Sequence, residues 1–371
     1  MPFTLKPIFT KFWVFFIPLL WFEHKAISAR EFGGVKAGSS ASVSSILIFG
    51  DSTADPGNNN YIRTPFKSNF SPYGRDFVNH TATGRFTNGR LPNDFIAKYV
   101  GLKEIVPAYL DPTLSLDELI SGVSFASAGS GFDPLTPSIS NVITLSDQLN
   151  HLKEYRLKVE AAVGEAKAKE VISNALFLVS AGTNDFVVNY FALPIRRRTY
   201  TIPSYIAFVS DGATQFLQEL LDEGARRIGV VGLPPLGCLP LVITLFSDHP
   251  VLDRGCDDSF SSIARDYNHV LQKELEALQV SVRSSGARIA YLDAYTPLEE
   301  MTLGHKYGFD VVDSGCCGTG VVEASFMCNS YFPVCDDATK YVFWDAIHPT
   351  QTSYELIFQS FRPALDYLVG K

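Results

Sequence analysis

The chain has 371 residues, 46% of them hydrophobic and 19% charged, with a formal net charge of −8. That balance excludes a disordered chain, whose low hydrophobicity could not offset the entropy lost on folding. The acidity disfavours nucleic acid and anionic membranes as partners, and the one basic cluster, Arg196-Arg197-Arg198, is too short to reverse it.

At the N-terminus, Lys6 and Lys11 precede an apolar run over 12–22, and the small residues Ala26, Ser28 and Ala29 follow. This order predicts a secretory signal peptide over 1–28. The apolar run contains Pro18 and falls short of the roughly 20 residues that cross a bilayer as a helix, so no stable membrane anchor is expected. Removing 1–28 takes away Lys6, Lys11, Lys25 and Glu23 and moves the charge from −8 to −10. The remaining chain, 29–371, shows no repeat, linker or low-complexity tract and is read as one domain.

Short apolar, β-branched-rich runs at 45–49, 122–126, 175–180, 227–231 and 288–292 are the candidate strands. None alternates cleanly between polar and apolar, as expected of strands covered on both faces in a parallel sheet. Helical patterns fall between them at 93–100, 145–173, 205–223 and 259–282. The alternation predicts a doubly wound α/β fold. The stretch 51–121 is long and rich in Asn, Gly and Pro, and a long insertion of this kind is commonly functional. It carries two sequons, Asn69-Phe70-Ser71 and Asn79-His80-Thr81, which predict glycosylation of Asn69 and Asn79 on a surface loop.

All six cysteines lie between Cys238 and Cys335, with no CxxC spacing of a zinc or redox site. In a secreted chain they predict up to three disulfides. Cys238 with Cys256 would close a short loop, and the remaining connectivity stays open.

In open parallel sheets, functional groups gather beyond the carboxyl ends of the strands. Four strands run there into short glycine-containing segments: Gly50-Asp51-Ser52, Ser127-Ala128-Gly129, Gly182-Thr183-Asn184-Asp185 and Gly232-Leu233-Pro234. A glycine just before Ser52 can hold its hydroxyl exposed on a tight turn, although Ala54 leaves the GxSxG elbow incomplete. A serine after a strand commonly serves as a turn or capping residue. A serine nucleophile needs a base, and His348 has suitable chemistry, with Asp345 three residues earlier able to fix its tautomer. An isolated DxxHP is otherwise a surface turn. An attacked carbonyl also needs donors for its oxyanion; Gly129, or Gly131 beside it, can offer a backbone N–H and Asn184 a side-chain N–H. The Gly129-Ser130-Gly131 stretch lacks the third glycine of a dinucleotide site, no phosphate-binding loop follows any strand, and the histidines are scattered. No cofactor or metal is expected.

Phe49-Gly50-Asp51-Ser52, Gly129, Gly182-Thr183-Asn184-Asp185 and Asp345-Ala346-Ile347-His348-Pro349, in that order, resemble the motif blocks of the plant GDSL esterase/lipase family within the SGNH hydrolases. The likeness extends to Gly57-Asn58-Asn59-Asn60, to the block 84–90, to the block 232–238 and to Cys316-Cys317-Gly318, and so covers nearly the whole mature chain. The departure is Thr53, where the family name has Leu, at a position whose side chain performs no chemistry. The resemblance implies a flavodoxin-like three-layer α/β/α sandwich with a five-stranded parallel sheet. It implies Ser52 as nucleophile, Asp345 and His348 as its triad partners, and Gly129 and Asn184 joining the Ser52 N–H in the oxyanion hole. The expectation is a secreted esterase of the apoplast or cell wall that hydrolyses acyl lipids or related small esters. The rivals are a catalytically weak secreted binding glycoprotein on the same fold and a cell-wall polysaccharide acetylesterase. The full set of catalytic side chains argues for the enzyme over the binding protein.

Overall fold

The computed structural model describes residues 43–247, 254–304 and 306–371, and the expected signal peptide lies outside the described residues. The apolar runs form β1 (Ile46–Gly50), β2 (Gly122–Ser124), β3 (Leu176–Ser180), β4 (Arg227–Val231) and β5 (Arg288–Leu292). They make one parallel sheet in the order β2-β1-β3-β4-β5. Ile48 is in register with Leu178, and Leu178 with Gly229. A separate two-stranded parallel ladder joins β6 (Val311–Gly315) to β7 (Tyr341–Phe343).

The first helices are α1 (Pro92–Tyr99), α2 (Leu116–Ser121), α3 (Leu135–Ser140), α4 (Leu145–Val163) and α5 (Glu165–Ser173). They are followed by α6 (Ile202–Asp222), α7 (Pro240–Phe246), α8 (Asp258–Ser281), α9 (Tyr295–Thr302) and α10 (Gln351–Val369). The expected helix over 145–173 is two helices, because Gly164 takes a positive φ of 86° that breaks the turn between them. β2 stops short of the expected 126. Its edge is finished by the Asn58 side chain, which donates to the carbonyls of Ser124 and Ala126 at 2.8 Å each.

The five parallel strands are covered on both faces, which is why their sequences do not alternate. On one face Phe49 stacks on Phe125 and Phe177 and meets Phe216 of α6 edge-on. Burying each such ring stabilises the fold by about 1.5–3 kcal/mol. On the other face α10 crosses β4 and β5 and packs against α1 and α9. The result is the three-layer α/β/α sandwich expected from the sequence. A satellite core beyond the sheet gathers Tyr73, Phe86 and Trp344 with Cys316, Cys317 and Cys328.

Candidate active site

At the exit of β1, Gly50 has φ 136°, and a Cβ there would collide with the Ser180 carbonyl at the end of β3. Only glycine lets the two strand ends approach so closely. The N–H of Asp51 donates to that carbonyl at 3.0 Å, and the Gln148 amide brackets Gly50 through its N–H and its carbonyl. Ser52 then emerges 8% exposed. Asp51 turns back to accept hydrogen bonds from the N–H and hydroxyl of Thr53, at 3.0 and 2.8 Å. Burial pushes the Asp51 carboxyl up to about 6, against the opposing pull of Thr53 and His348.

The partner of Ser52 arrives from the far end of the chain. The Ser52 hydroxyl lies 2.8 Å from His348 Nε2, and His348 Nδ1 lies 2.8 and 2.9 Å from the two oxygens of Asp345. A carboxylate only accepts, so the imidazole proton sits on Nδ1 and leaves Nε2 free to accept from Ser52. Asp345 is fully buried. Its Oδ1 takes the N–H groups of Ile347 and His348, each at 2.8 Å, and its Oδ2 takes the Tyr73 hydroxyl at 2.6 Å. The loop closes on itself through the Trp344 N–H to the His348 carbonyl at 2.7 Å. Next, Thr350 caps α10 by accepting from the Ser353 N–H, so the helix start anchors the loop. The block 84–90 supports the loop from below: the Phe86 ring centres 5.0 Å from the imidazole, and the Thr87 hydroxyl donates to the Pro349 carbonyl at 3.0 Å.

The third part of the site is the turn after β2. Asp55 accepts from the N–H groups of Gly57 and Asn58 and, with its other oxygen, from Ala128 at 3.0 Å. Its burial pushes it up to about 6. Asn59 donates to the Ala128 carbonyl at 2.9 Å and accepts the Ser127 hydroxyl. These contacts tie the turn bearing Gly129 to the turn bearing Ser52. Gly129 takes φ 91°, whereas a Cβ on Gly131 would run into the Asp185 carboxylate. Gly131 is therefore a packing glycine. Among the described residues, the N–H groups of Ser52 and Gly129 have no hydrogen-bond partner. Asn184 follows β3, and its amide donates to the Ser130 carbonyl at 2.9 Å, which leaves a second N–H on the same nitrogen.

Ser52, His348 and Asn184 line one cleft at the carboxyl ends of the strands, together with Asp51, Asn93 and Tyr354; Gly129 does not line it. Asn69 and Asn79 are exposed on the long connection between β1 and β2. The disulfides are Cys238–Cys256, as expected, and Cys316–Cys335 and Cys317–Cys328, which were open. Sequence reasoning missed the structural work of Tyr73, Asp55, Asn58 and Gln148. Of these, Asn58 was visible within the motif block Gly57-Asn58-Asn59-Asn60 without a role, whereas nothing near Tyr73 or Gln148 in the chain signals contact with Asp345 or Gly50. No group of His, Cys, Asp and Glu suited to a metal ion occurs among the described residues, and no described helix is long and apolar enough to cross a membrane.

A family model described as GDSL-like lipase/acylhydrolase matches residues 46–361. A GDSL esterase/lipase of Arabidopsis thaliana is 56% identical over 330 residues, covering 89% of this chain and 88% of that protein. A second from the same plant is 42% identical over 88% of this chain and 86% of its own length. Among solved structures, an acetylxylan esterase from Geobacillus stearothermophilus, a catalytic mutant, aligns with a TM-score of 0.41 and 14% identity over 87% of this chain and 94% of that one.

Proposed function

Because this chain belongs to the GDSL-like lipase/acylhydrolase family and is a carboxylic ester hydrolase, we propose that it works by two-step acyl transfer through Ser52, His348 and Asp345. The observation that carries the proposal is the Ser52 hydroxyl 2.8 Å from an imidazole whose other nitrogen rests on a buried carboxylate. In the first step Ser52 Oγ attacks the ester carbonyl while His348 Nε2 takes its proton. The negative charge on Asp345 stabilises the imidazolium that forms. The Ser52 N–H and the Asn184 amide, both at the cleft, stabilise the tetrahedral oxyanion. His348 then returns the proton to the departing alcohol. Water, deprotonated by the same nitrogen, releases the acid in the second step. No cofactor or metal takes part.

The substrates are small esters or acyl lipids, and the protein acts after secretion, in the apoplast or cell wall, glycosylated at Asn69 and Asn79. Support for secretion comes from three disulfides, which persist in oxidising compartments, and from the order of charged, apolar and small residues at the N-terminus. The exposure of both sequon asparagines supports their modification. The test is Ser52→Ala: ester turnover falls by at least about 10⁴-fold with an unchanged thermal transition. Turnover close to wild type in a folded variant would remove Ser52 from the mechanism.

A further inference from the structure

Of the three arginines at 196–198, Arg197 and Arg198 are exposed, but Arg196 turns inward. It donates to both oxygens of Asp133, through Nε and a terminal nitrogen, at 2.6 Å each. Asp133 is fully buried, and Arg196 is its ion-pair partner among the described residues. The same carboxylate accepts from the Asn189 amide at 2.9 Å, the Tyr205 hydroxyl at 3.0 Å and the Leu135 N–H at 2.9 Å. The rings of Phe208 and Tyr200 flank the guanidinium, 5.6 and 5.8 Å from its carbon. A buried charge with a bidentate cation and three further donors is costly to displace, so Asp133 is held in one place.

That place bears on the oxyanion hole. Asp133 follows Ser130 by three residues, and the Ser130 carbonyl accepts one N–H of Asn184 at 2.9 Å. An amide group is planar, so fixing one N–H fixes the direction of the other. The turn that carries this carbonyl is gripped from its far side by Asp185, the residue after Asn184. Asp185 accepts the N–H groups of Phe132 and Asp133, at 2.9 and 3.2 Å, and the Thr136 hydroxyl. Tyr205 joins the two grips, its hydroxyl lying 3.2 Å from the Asp185 carbonyl as well as against Asp133. Residues Asp185–Ala192 form a π-helix, whose wide turn brings the side chains of Asp185 and Asn189 onto this one network.

We propose that Arg196 is a positioning residue for ester hydrolysis: through Asp133 it locks the turn at 130–136 against Asp185, and so aims the second N–H of Asn184 at the tetrahedral oxyanion. The inference rests on Asn184 as an oxyanion donor. It assigns a task in the reaction to a surface-segment side chain that touches no reacting atom. A misplacement of about 1 Å in a reacting arrangement can cost about 10²-fold in rate, so a turn loosened at Asp133 is felt at Asn184.

The experiment is a double-mutant cycle on turnover of p-nitrophenyl butyrate by the purified protein, with the thermal transition recorded for every variant. Asn184→Ala is expected to lower kcat by about 10²–10³-fold, the typical loss of one oxyanion donor. Arg196→Gln should lower kcat by about ten-fold or more with KM within about two-fold of wild type, and Tyr205→Phe by about three-fold or more. In the Asn184→Ala background each should cost less than about two-fold further, because the donor that they aim is gone. A larger residual factor in that background would reduce Arg196 to a support of the fold and overturn the inference, while leaving Asn184 as a donor. An unchanged kcat in folded Arg196→Gln would do the same. If Arg196→Gln does not fold, Tyr205→Phe and its own cycle decide. Wild-type kcat in Asn184→Ala would overturn the oxyanion reading, and the positioning role with it.

Discussion

The Asp345 carboxylate is fully buried, and every donor around it is held by something else, so its position is set by the residues that hold those donors. Tyr73 is the most remote of them. Its hydroxyl donates to Asp345 Oδ2 and accepts the Ser325 N–H at 2.8 Å. Burial, the Asp345 charge and the hydrogen bond to it hold the phenol well above its usual range, so it remains a donor throughout the working pH of an esterase. Tyr73 touches no reacting atom and acts as a positioning residue. Removing a hydrogen bond to a charged group costs about 1.5–3 kcal/mol, so Tyr73→Phe is expected to lower kcat roughly ten- to hundred-fold with KM within two-fold of wild type. Steady-state kinetics across pH separates this from a structural loss: the pH–rate profile should move in Tyr73→Phe. A fall in kcat with an unmoved profile would mean that Tyr73 only supports the fold.

At the scale of elements, the loop bearing Asp345 and His348 is braced by the ladder of β6 and β7 and by the two disulfides beside it. The N–H groups of Cys316 and Cys317 donate to the carbonyls of Phe343 and Trp344, the residues that lead into Asp345. Cys316–Cys335 closes a loop of 19 residues, for which a stabilisation of about 3 kcal/mol is typical. Replacing both cysteines by serine is expected to lower the thermal midpoint by roughly 4–5 °C. Because the same strand feeds the Asp345 loop, kcat at 25 °C should fall as well. Calorimetry and ester kinetics on the double variant check both. A lowered midpoint with full kcat would show that the lobe stabilises the fold without holding the site.

At the scale of the whole molecule, three fully buried carboxyls govern how stability depends on pH. Burial raises Asp51 and Asp55 to about 6 and Asp185 to about 7, above the value near 4 that each has in the unfolded chain. The folded state therefore holds these protons more tightly than the unfolded state. Their stabilising contribution is complete below about pH 4 and is lost as pH rises through 6 and 7. Asp185→Asn removes the largest of the three effects. Wild type is expected to exceed this variant in thermal midpoint by more at pH 5 than at pH 8, and scanning calorimetry at the two values measures it. A gap that stays constant or widens with pH would reject the assignment.

The sequence by itself determined the five strands, because residues buried on both faces of a parallel sheet leave continuous apolar runs that stand out from their surroundings. It also determined which residue types could form a catalytic set, since nucleophile, base and orienting carboxylate are chemically distinct and each sits in a recognisable local block. The sequence could not decide the meeting of Ser52 with His348. They lie 296 residues apart, and only the parallel order of the sheet and the packing of α10 beside β5 bring them within 2.8 Å. The roles of Tyr73 and Gln148 were decided by the tertiary structure alone, because a hydrogen bond between distant segments leaves no periodicity or spacing in the chain.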